Sequence, residues 1–159
     1  NGLQNIRIVQ AAVGEKCGWV SFTDEKSDDQ NGVSDNGEIC VPMLNLDVLT
    51  DGEKIDLLKI DIEGYELSAI KGASQIIKSV DFIYFEAWDA HFKKYGYSFF
   101  DLHEHLSEMG FIVGRINMER NRVTILRKSD TIPNCENLLA WRDSSYLAER
   151  TGLAIFRAE

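Results

Sequence analysis

Charged residues interrupt an otherwise apolar stretch, "IDLLKIDIEGYE", which runs from Ile55 to Glu66. Lys59, Asp61 and Glu63 are spaced two apart there, and a β-strand places residues with that spacing on one face. Buried charge costs free energy unless it is paired or used in function. Carboxylates at the end of a strand can accept a proton or bind a cation, so this stretch is the first candidate for a functional site.

A second apolar stretch, "DFIYFEAW", carries another carboxylate near its carboxyl end, Glu86, and His91 follows it closely. The carboxyl ends of neighbouring parallel strands meet at one edge of a sheet, where α/β proteins bind ligands. We therefore expect Asp61, Glu63 and Glu86 to converge. His91 is a candidate base near neutral pH, and an ordinary surface histidine is the simpler interpretation. A simpler alternative also exists for the strand, in which Lys59 pairs with a carboxylate and the strand end is solvated.

Alternating strands and helices are predicted to position these residues. Hydrophobic periodicity indicates strand, helix, strand, helix, strand from Ile55 to Ile116, with an amphipathic helix over 65–79 and a capping box at the start of a helix over 98–110. Such βαβ units imply a mostly parallel sheet with helices on its faces. The last strands have short connections, so at least one should be antiparallel. We predict an α/β fold, a three-layer αβα sandwich, as a single domain over residues 1–159.

Composition excludes several classes of protein. The chain has 159 residues and a formal net charge of −9, which argues against nucleic acid as the main partner. No stretch approaches the ~20 apolar residues of a membrane-spanning helix. The cysteines, Cys17, Cys40 and Cys135, are widely spaced without a CxxC pair. That pattern favours reduced thiols and a cytoplasmic location.

One motif resembles a known family. "IDLLKIDIEGYELSAIKGA" closely resembles the signature of the FkbM family of S-adenosylmethionine-dependent methyltransferases, in which a strand reading roughly "DLLKIDVEG" enters a helix beginning "xELxxLKGA". Upstream, "NGLQNIRIVQAAVGEKCGWVSFTD" resembles the family's third-strand region, and it contains a predicted strand, "NIRIVQAAVG", closed by Gly14. "ENLLAW" resembles the closing strand. The resemblance implies a Rossmann-like class I methyltransferase fold with S-adenosylmethionine as cofactor.

The resemblance also implies roles for the candidate residues. Asp61 would be the central catalytic carboxylate, acting as a general base toward a hydroxyl acceptor. Glu63 and Glu86 would orient the acceptor or share the proton, with His91 as a further candidate base. Lys59 would pair with a carboxylate and hold it in place.

A metal ion is the alternative to a simple base. Asp61 and Glu86 occupy positions similar to the metal-binding carboxylates of catechol-type O-methyltransferases, where a divalent cation lowers the pKa of the hydroxyl. No third ligand is evident in the sequence, so the metal-free base is favoured. For the cofactor, the implied fold places Ala12 and Val13 near the adenine and Asp61 beside the bound molecule.

Two elements of a class I methyltransferase are not found in the sequence. These are the Gly-rich loop after the first strand and the acidic residue that ends the second strand. The chain therefore resembles the C-terminal two-thirds of the family domain, with the N-terminal strands missing. We expect O-methylation of a hydroxyl on a sugar or secondary metabolite, a small-molecule or glycan acceptor that Trp88, Tyr95 and Tyr97 would suit by stacking. A truncated, non-catalytic binding module is the alternative, and a homo-oligomer is left open.

Overall fold

The computed structural model describes residues 4–24 and 31–157, which form nine strands and five α-helices. None of these helices has the length and apolarity needed to cross a bilayer. The strands are β1 (Ala12–Val13), β2 (Gly18–Phe22), β3 (Ile39–Leu44), β4 (Leu57–Ile60), β5 (Phe82–Ala87), β6 (Ile112–Asn117), β7 (Arg122–Ile125), β8 (Glu136–Trp141) and β9 (Ala154–Arg157). The helices are α1 (Leu46–Thr50), α2 (Glu66–Lys71), α3 (Asp89–Lys94), α4 (Phe99–Glu108) and α5 (Ser144–Thr151), with a 3-10 helix over Ile76–Ser79.

The strands form two sheets. The smaller sheet has the order β1-β3-β2, with β1 parallel and β2 antiparallel to β3. The larger sheet has the order β4-β5-β8-β6-β7-β9. β4 and β5 are parallel neighbours in it, with Lys59 opposite Tyr84 and Ile60 opposite Phe85. This pairing brings the two predicted carboxylate-bearing strand ends to the same edge.

The predicted fold class, a Rossmann-like three-layer αβα sandwich with a mostly parallel sheet, is wrong. Of the seven strand pairs in the described chain, three are parallel and four are antiparallel. The main cause is β8, which inserts between β5 and β6 and runs antiparallel to both. A late strand that inserts between two earlier ones replaces one expected parallel pair by two antiparallel pairs. The spacing of apolar residues along the chain does not reveal such an insertion.

The two faces of the larger sheet are covered unequally. One face carries Ile60, Ile83 and Phe85, which pack with α2, the 3-10 helix and α4 in the main core. The other face carries a smaller cluster around Trp141, to which α5 contributes Leu147. Within the described residues, the short helix α5 is the only helix that packs on this second face. A full third layer is therefore not formed.

Two predicted elements are shorter than expected. The strand predicted over 5–14 is only Ala12–Val13. The helix predicted over 65–79 divides into α2 and the 3-10 helix, because the chain turns from Gly72 to Gln75. A Cβ atom at Gly72 would overlap the carbonyl oxygen of Gly14, so the absence of a side chain lets the smaller sheet approach α2 closely.

Candidate active site

The turn between β4 and α2 sets the geometry of the site. Gly64 has φ +98°, and a Cβ atom there would lie 2.7 Å from the carbonyl oxygen of His91, so only glycine fits without displacing α3. Glu63 is also left-handed, with φ +56°. Such a conformation is uncommon for a residue other than glycine and is frequent at functional sites. Side chains of β4 alternate between the two faces of the sheet, and the turn interrupts this alternation. The direction of the Glu63 side chain is therefore set by the turn and not by the strand.

A cavity of 270 Å³ lies at this turn and is called here the Asp61 cavity. Ala12 and Val13 of β1 line one side, while Asp61, Glu63 and Tyr65 line the other. Residues from both sheets thus meet around one space. The predicted cofactor residues Ala12, Val13 and Asp61 all border it.

Lys59 and Asp61 form an ion pair at the exposed edge of β4. Lys59 Nζ donates to Asp61 Oδ2 at 2.5 Å, and this hydrogen bond is the main cause that raises the pKa of Lys59. Asp61 is 41% exposed and borders a second cavity, of 300 Å³, together with Lys59 and Val13. The pairing expected for Lys59 is present. Asp61 remains accessible from two cavities.

Glu63, Glu86 and His91 form a separate group, called here the carboxylate–histidine cluster. One ligand atom from each side chain lies within 4.8 Å of the others. His91 Nδ1 is 3.4 Å from Glu63 Oε2 and 3.8 Å from Glu86 Oε2, and all three side chains are at least three-quarters buried. The structure thus brings Glu63 and Glu86 together as expected. It adds His91 to them, while Asp61 is not a member of the cluster.

Comparison with known proteins decides the family. The model of the methyltransferase FkbM domain matches residues 2–113, well over half of the chain. The chain belongs to the FkbM methyltransferase family. Searches of the curated proteins and of the solved structures found no match. Both the Asp61 cavity and the carboxylate–histidine cluster lie within the matched part of this FkbM domain.

Two contacts orient the cluster, and no motif in the sequence indicates either of them. Cys135 Sγ donates to Glu86 Oε1 at 2.9 Å. This hydrogen bond to a carboxylate, aided by burial, raises the pKa of the Cys135 thiol to about 12, so the thiol is protonated at neutral pH. The Trp88 ring packs on the His91 ring with centroids 4.4 Å apart, and Trp88 Nε1 donates to the carbonyl of Pro133.

Glu66 has a structural role at the turn that the sequence did not predict. Its position in the first helical turn suggested only a favourable interaction with the helix dipole. In the structure Glu66 is 1% exposed, and its Oε1 accepts hydrogen bonds of 3.2 Å from the backbone N–H groups of Ile62 and Gly64. Burial raises the pKa of the Glu66 carboxyl. Glu66 thereby fixes the turn that carries Glu63.

The aromatic residues do not all face solvent. Tyr97 packs against Phe92, and its hydroxyl donates to the carbonyl of Gly64 at 2.7 Å, so its ring is part of the support for the turn. Burial raises the pKa of Tyr97. Tyr95 packs edge-on against Tyr65. Tyr97 is therefore half-buried rather than exposed, while stacking of these aromatic residues on a sugar acceptor stays a prediction.

Proposed function

We propose that this FkbM domain transfers a methyl group from S-adenosylmethionine to a hydroxyl group of a small-molecule or glycan acceptor. Membership of the methyltransferase family supports the reaction type. One observation carries the assignment of the site: Ala12 and Val13 of one sheet and Asp61 and Glu63 of the other border the same cavity. The cofactor and acceptor residues expected from the sequence are thus neighbours in space.

The lining of the Asp61 cavity fits part of the cofactor. Ala12, Val13 and Phe22 supply apolar surface suited to an adenine ring, and the carboxylates of Asp61 and Glu63 suit ribose hydroxyls or a positively charged sulfonium. The volume of 270 Å³ lies just under the roughly 300–1,000 Å³ usual for small-molecule sites. The cavity therefore accommodates a portion of the molecule, and the second cavity beside Asp61 extends the available space.

In this proposal Asp61 is the general base. When bound, S-adenosylmethionine supplies a methyl group whose bond to sulfur breaks with the electron pair kept by sulfur. The acceptor O–H bond breaks as the new O–C bond forms, and the Asp61 carboxylate accepts the proton. Lys59 holds Asp61 through their ion pair, and Glu63, which borders the same cavity, orients the acceptor.

Replacing Asp61 by Asn tests the proposal in the intact native protein. With a methyl-labelled cofactor and a panel of hydroxylated acceptors, D61N should lower turnover by about 10²- to 10⁴-fold, the usual contribution of a general base. Asp51→Asn is the matched control, since Asp51 is an exposed residue with φ +49°, a conformation that asparagine tolerates. Equal turnover in D61N and D51N would remove Asp61 from the mechanism. A native protein that methylates no acceptor and does not bind the cofactor would favour the non-catalytic alternative.

A further inference from the structure

Three metal-ligating side chains from three elements meet beside the Asp61 cavity. Glu63 comes from the turn after β4, Glu86 from β5 and His91 from α3. We propose that the carboxylate–histidine cluster binds a divalent transition-metal ion. Metal binding is argued from the geometry of the cluster alone, whereas the role of the ion toward an acceptor rests on the proposed function.

His91 Nδ1 has an environment that an ordinary ion pair does not explain. The atom is buried and has no hydrogen-bond partner within residues 4–24 and 31–157, although two carboxylates lie next to it. A charged imidazole that bridged the two carboxylates would donate hydrogen bonds of about 2.7–2.9 Å. A buried polar atom without a partner costs free energy, and a metal ion at this point would remove that cost.

The spacing of the ligand atoms matches a coordination shell. Two atoms bonded to one Zn²⁺ at about 2.0–2.1 Å in a tetrahedral arrangement lie about 3.3–3.4 Å apart. His91 Nδ1 and Glu63 Oε2 are 3.4 Å apart. The corresponding distance to Glu86 Oε2 is 3.8 Å, which a small rotation of that carboxylate would shorten.

Neighbouring groups hold the three ligands in position before an ion binds. The Cys135 thiol occupies Glu86 Oε1 and leaves Oε2 as the oxygen nearer to His91. The Trp88 ring restrains the His91 imidazole, and the close approach of Gly64 fixes the backbone of His91 beside the turn. Metal sites in proteins depend on this kind of outer support for ligand orientation.

The donor set identifies the class of metal. One imidazole nitrogen and two carboxylate oxygens suit Zn²⁺, Mn²⁺, Fe²⁺ or Co²⁺, whereas Ca²⁺ and Mg²⁺ prefer all-oxygen shells. Three protein ligands leave coordination positions open, as in catalytic rather than structural sites. Glu63 borders the Asp61 cavity, so an acceptor hydroxyl in that cavity would lie beside the ion, which would make the hydroxyl more acidic. Asp61 would then accept a proton that is more easily released.

Metal binding is tested on the chelator-treated protein without cofactor or acceptor. Titration with Co²⁺, followed by its visible absorption, should show one saturable site per chain. Glu63→Gln, Glu86→Gln and His91→Gln should each weaken binding by about tenfold or more. Glu149→Gln, at an exposed glutamate of α5, should bind as the wild type does. Absence of saturable binding, or equal binding in all four variants, would overturn the proposal.

A measurement on the wild type covers the case in which a variant does not fold. Pulsed electron paramagnetic resonance of the Mn²⁺ complex should show coupling to one imidazole nitrogen, which changes when the protein is labelled with ¹⁵N-histidine. A complex without this coupling would exclude His91 as a ligand and overturn the site. Methyl transfer that continues at an unchanged rate in excess chelator would overturn the role of the ion toward the acceptor while leaving the proposed function intact. Metal binding by a protein that transfers no methyl group would overturn the proposed function and leave the metal site intact.

Discussion

At the scale of single residues, Glu66 shows how a buried acid can organise a site without touching the reacting groups. Its Oε1 accepts from two backbone N–H groups, and its Oε2 lies 3.3 Å from the Tyr97 hydroxyl. That hydroxyl has one hydrogen, which the carbonyl of Gly64 takes at the shorter distance of 2.7 Å. Burial raises the pKa of Glu66, and the hydrogen bonds that its carboxyl accepts from the backbone, together with the longer contact with the Tyr97 hydroxyl, partly oppose that shift. The turn is thus supported by hydrogen bonds that one buried carboxyl accepts.

Glu66→Gln is expected to stabilise the protein increasingly as the pH rises. Because the folded-state pKa of Glu66 is raised, wild-type stability is greatest below the unfolded value, near 4.5, and falls as the pH rises through the folded value. Glutamine keeps the acceptor for Ile62 and Gly64 and lacks this titration. Urea unfolding from pH 4 to 8 should therefore show a growing advantage of E66Q over the wild type. An advantage that is constant across this range would contradict the assignment.

Glu66→Ala gives the complementary measurement. It leaves the N–H groups of Ile62 and Gly64 without their acceptor and should lower the free energy of unfolding at pH 7 by roughly 1–3 kcal/mol. Glu149→Gln, at an exposed position, should follow the wild-type pH profile.

At the scale of elements, α4 is the helix whose start the sequence specified most completely. Asp101 Oδ2 accepts from the backbone N–H of Ser98 at 2.8 Å and from its hydroxyl at 2.6 Å. The spacing of its apolar residues predicts a buried stripe of Phe99, Leu102, Leu106 and Met109; the first three are buried and Met109 is partly buried. The capping box and the apolar stripe lie close together in sequence, so both were visible without the fold.

Asp101→Ala should lower the free energy of unfolding by about 1 kcal/mol at pH 7, the usual value of a helix cap. The hydrogen bond from the Ser98 hydroxyl, followed by that from its backbone, lowers the pKa of Asp101. Its contribution is therefore present above the unfolded pKa of about 3.9 and is lost as the pH falls through the folded value. Urea unfolding should show a smaller gap between D101A and the wild type at pH 3 than at pH 7. Glu108 is an exposed acid in the last turn of α4. The difference in free energy of unfolding between Glu108→Ala and the wild type should not change in this way between pH 3 and pH 7.

At the scale of the whole molecule, one side chain joins three elements distant in sequence. The guanidinium of Arg142, just after β8, donates to the carbonyls of Met109, Val80 and Ile77 at 3.2, 2.6 and 2.9 Å. It also lies over the ring of Phe111, 3.8 Å from the centroid. Arg142 therefore links the inserted strand β8 to the end of α4 and to the 3-10 helix.

Arg142→Lys should destabilise the protein by on the order of 2–4 kcal/mol, because an ammonium cannot reach the three carbonyls with the same fork geometry and leaves acceptors unsatisfied. Arg150→Lys is the matched control, since Arg150 is exposed on α5. Chemical unfolding at pH 7 measures both. Equal stability of the two variants would show that the three contacts contribute little.

Local features and the family could be predicted from the amino-acid sequence. The apolar run of β4, the glycine turn after it and the motif that continues into α2 are contiguous, so their physical preferences and their resemblance to FkbM methyltransferases were readable directly. The parallel pairing of β4 with β5 followed from the short helical connection between them. These features depend on residues that are neighbours along the chain.

The sheet order and the set of residues in the candidate site could not be predicted from the sequence and required the folded structure. The insertion of β8 between β5 and β6 and the convergence of Glu63, Glu86 and His91 depend on contacts between distant segments. The same holds for Tyr97, which carries no local sign that its hydroxyl supports the turn at Gly64. Hydrophobic periodicity predicts which face of a helix or strand is buried, but it does not predict which other element packs against that face. The partners of a buried face or a site residue are fixed only when the whole chain packs.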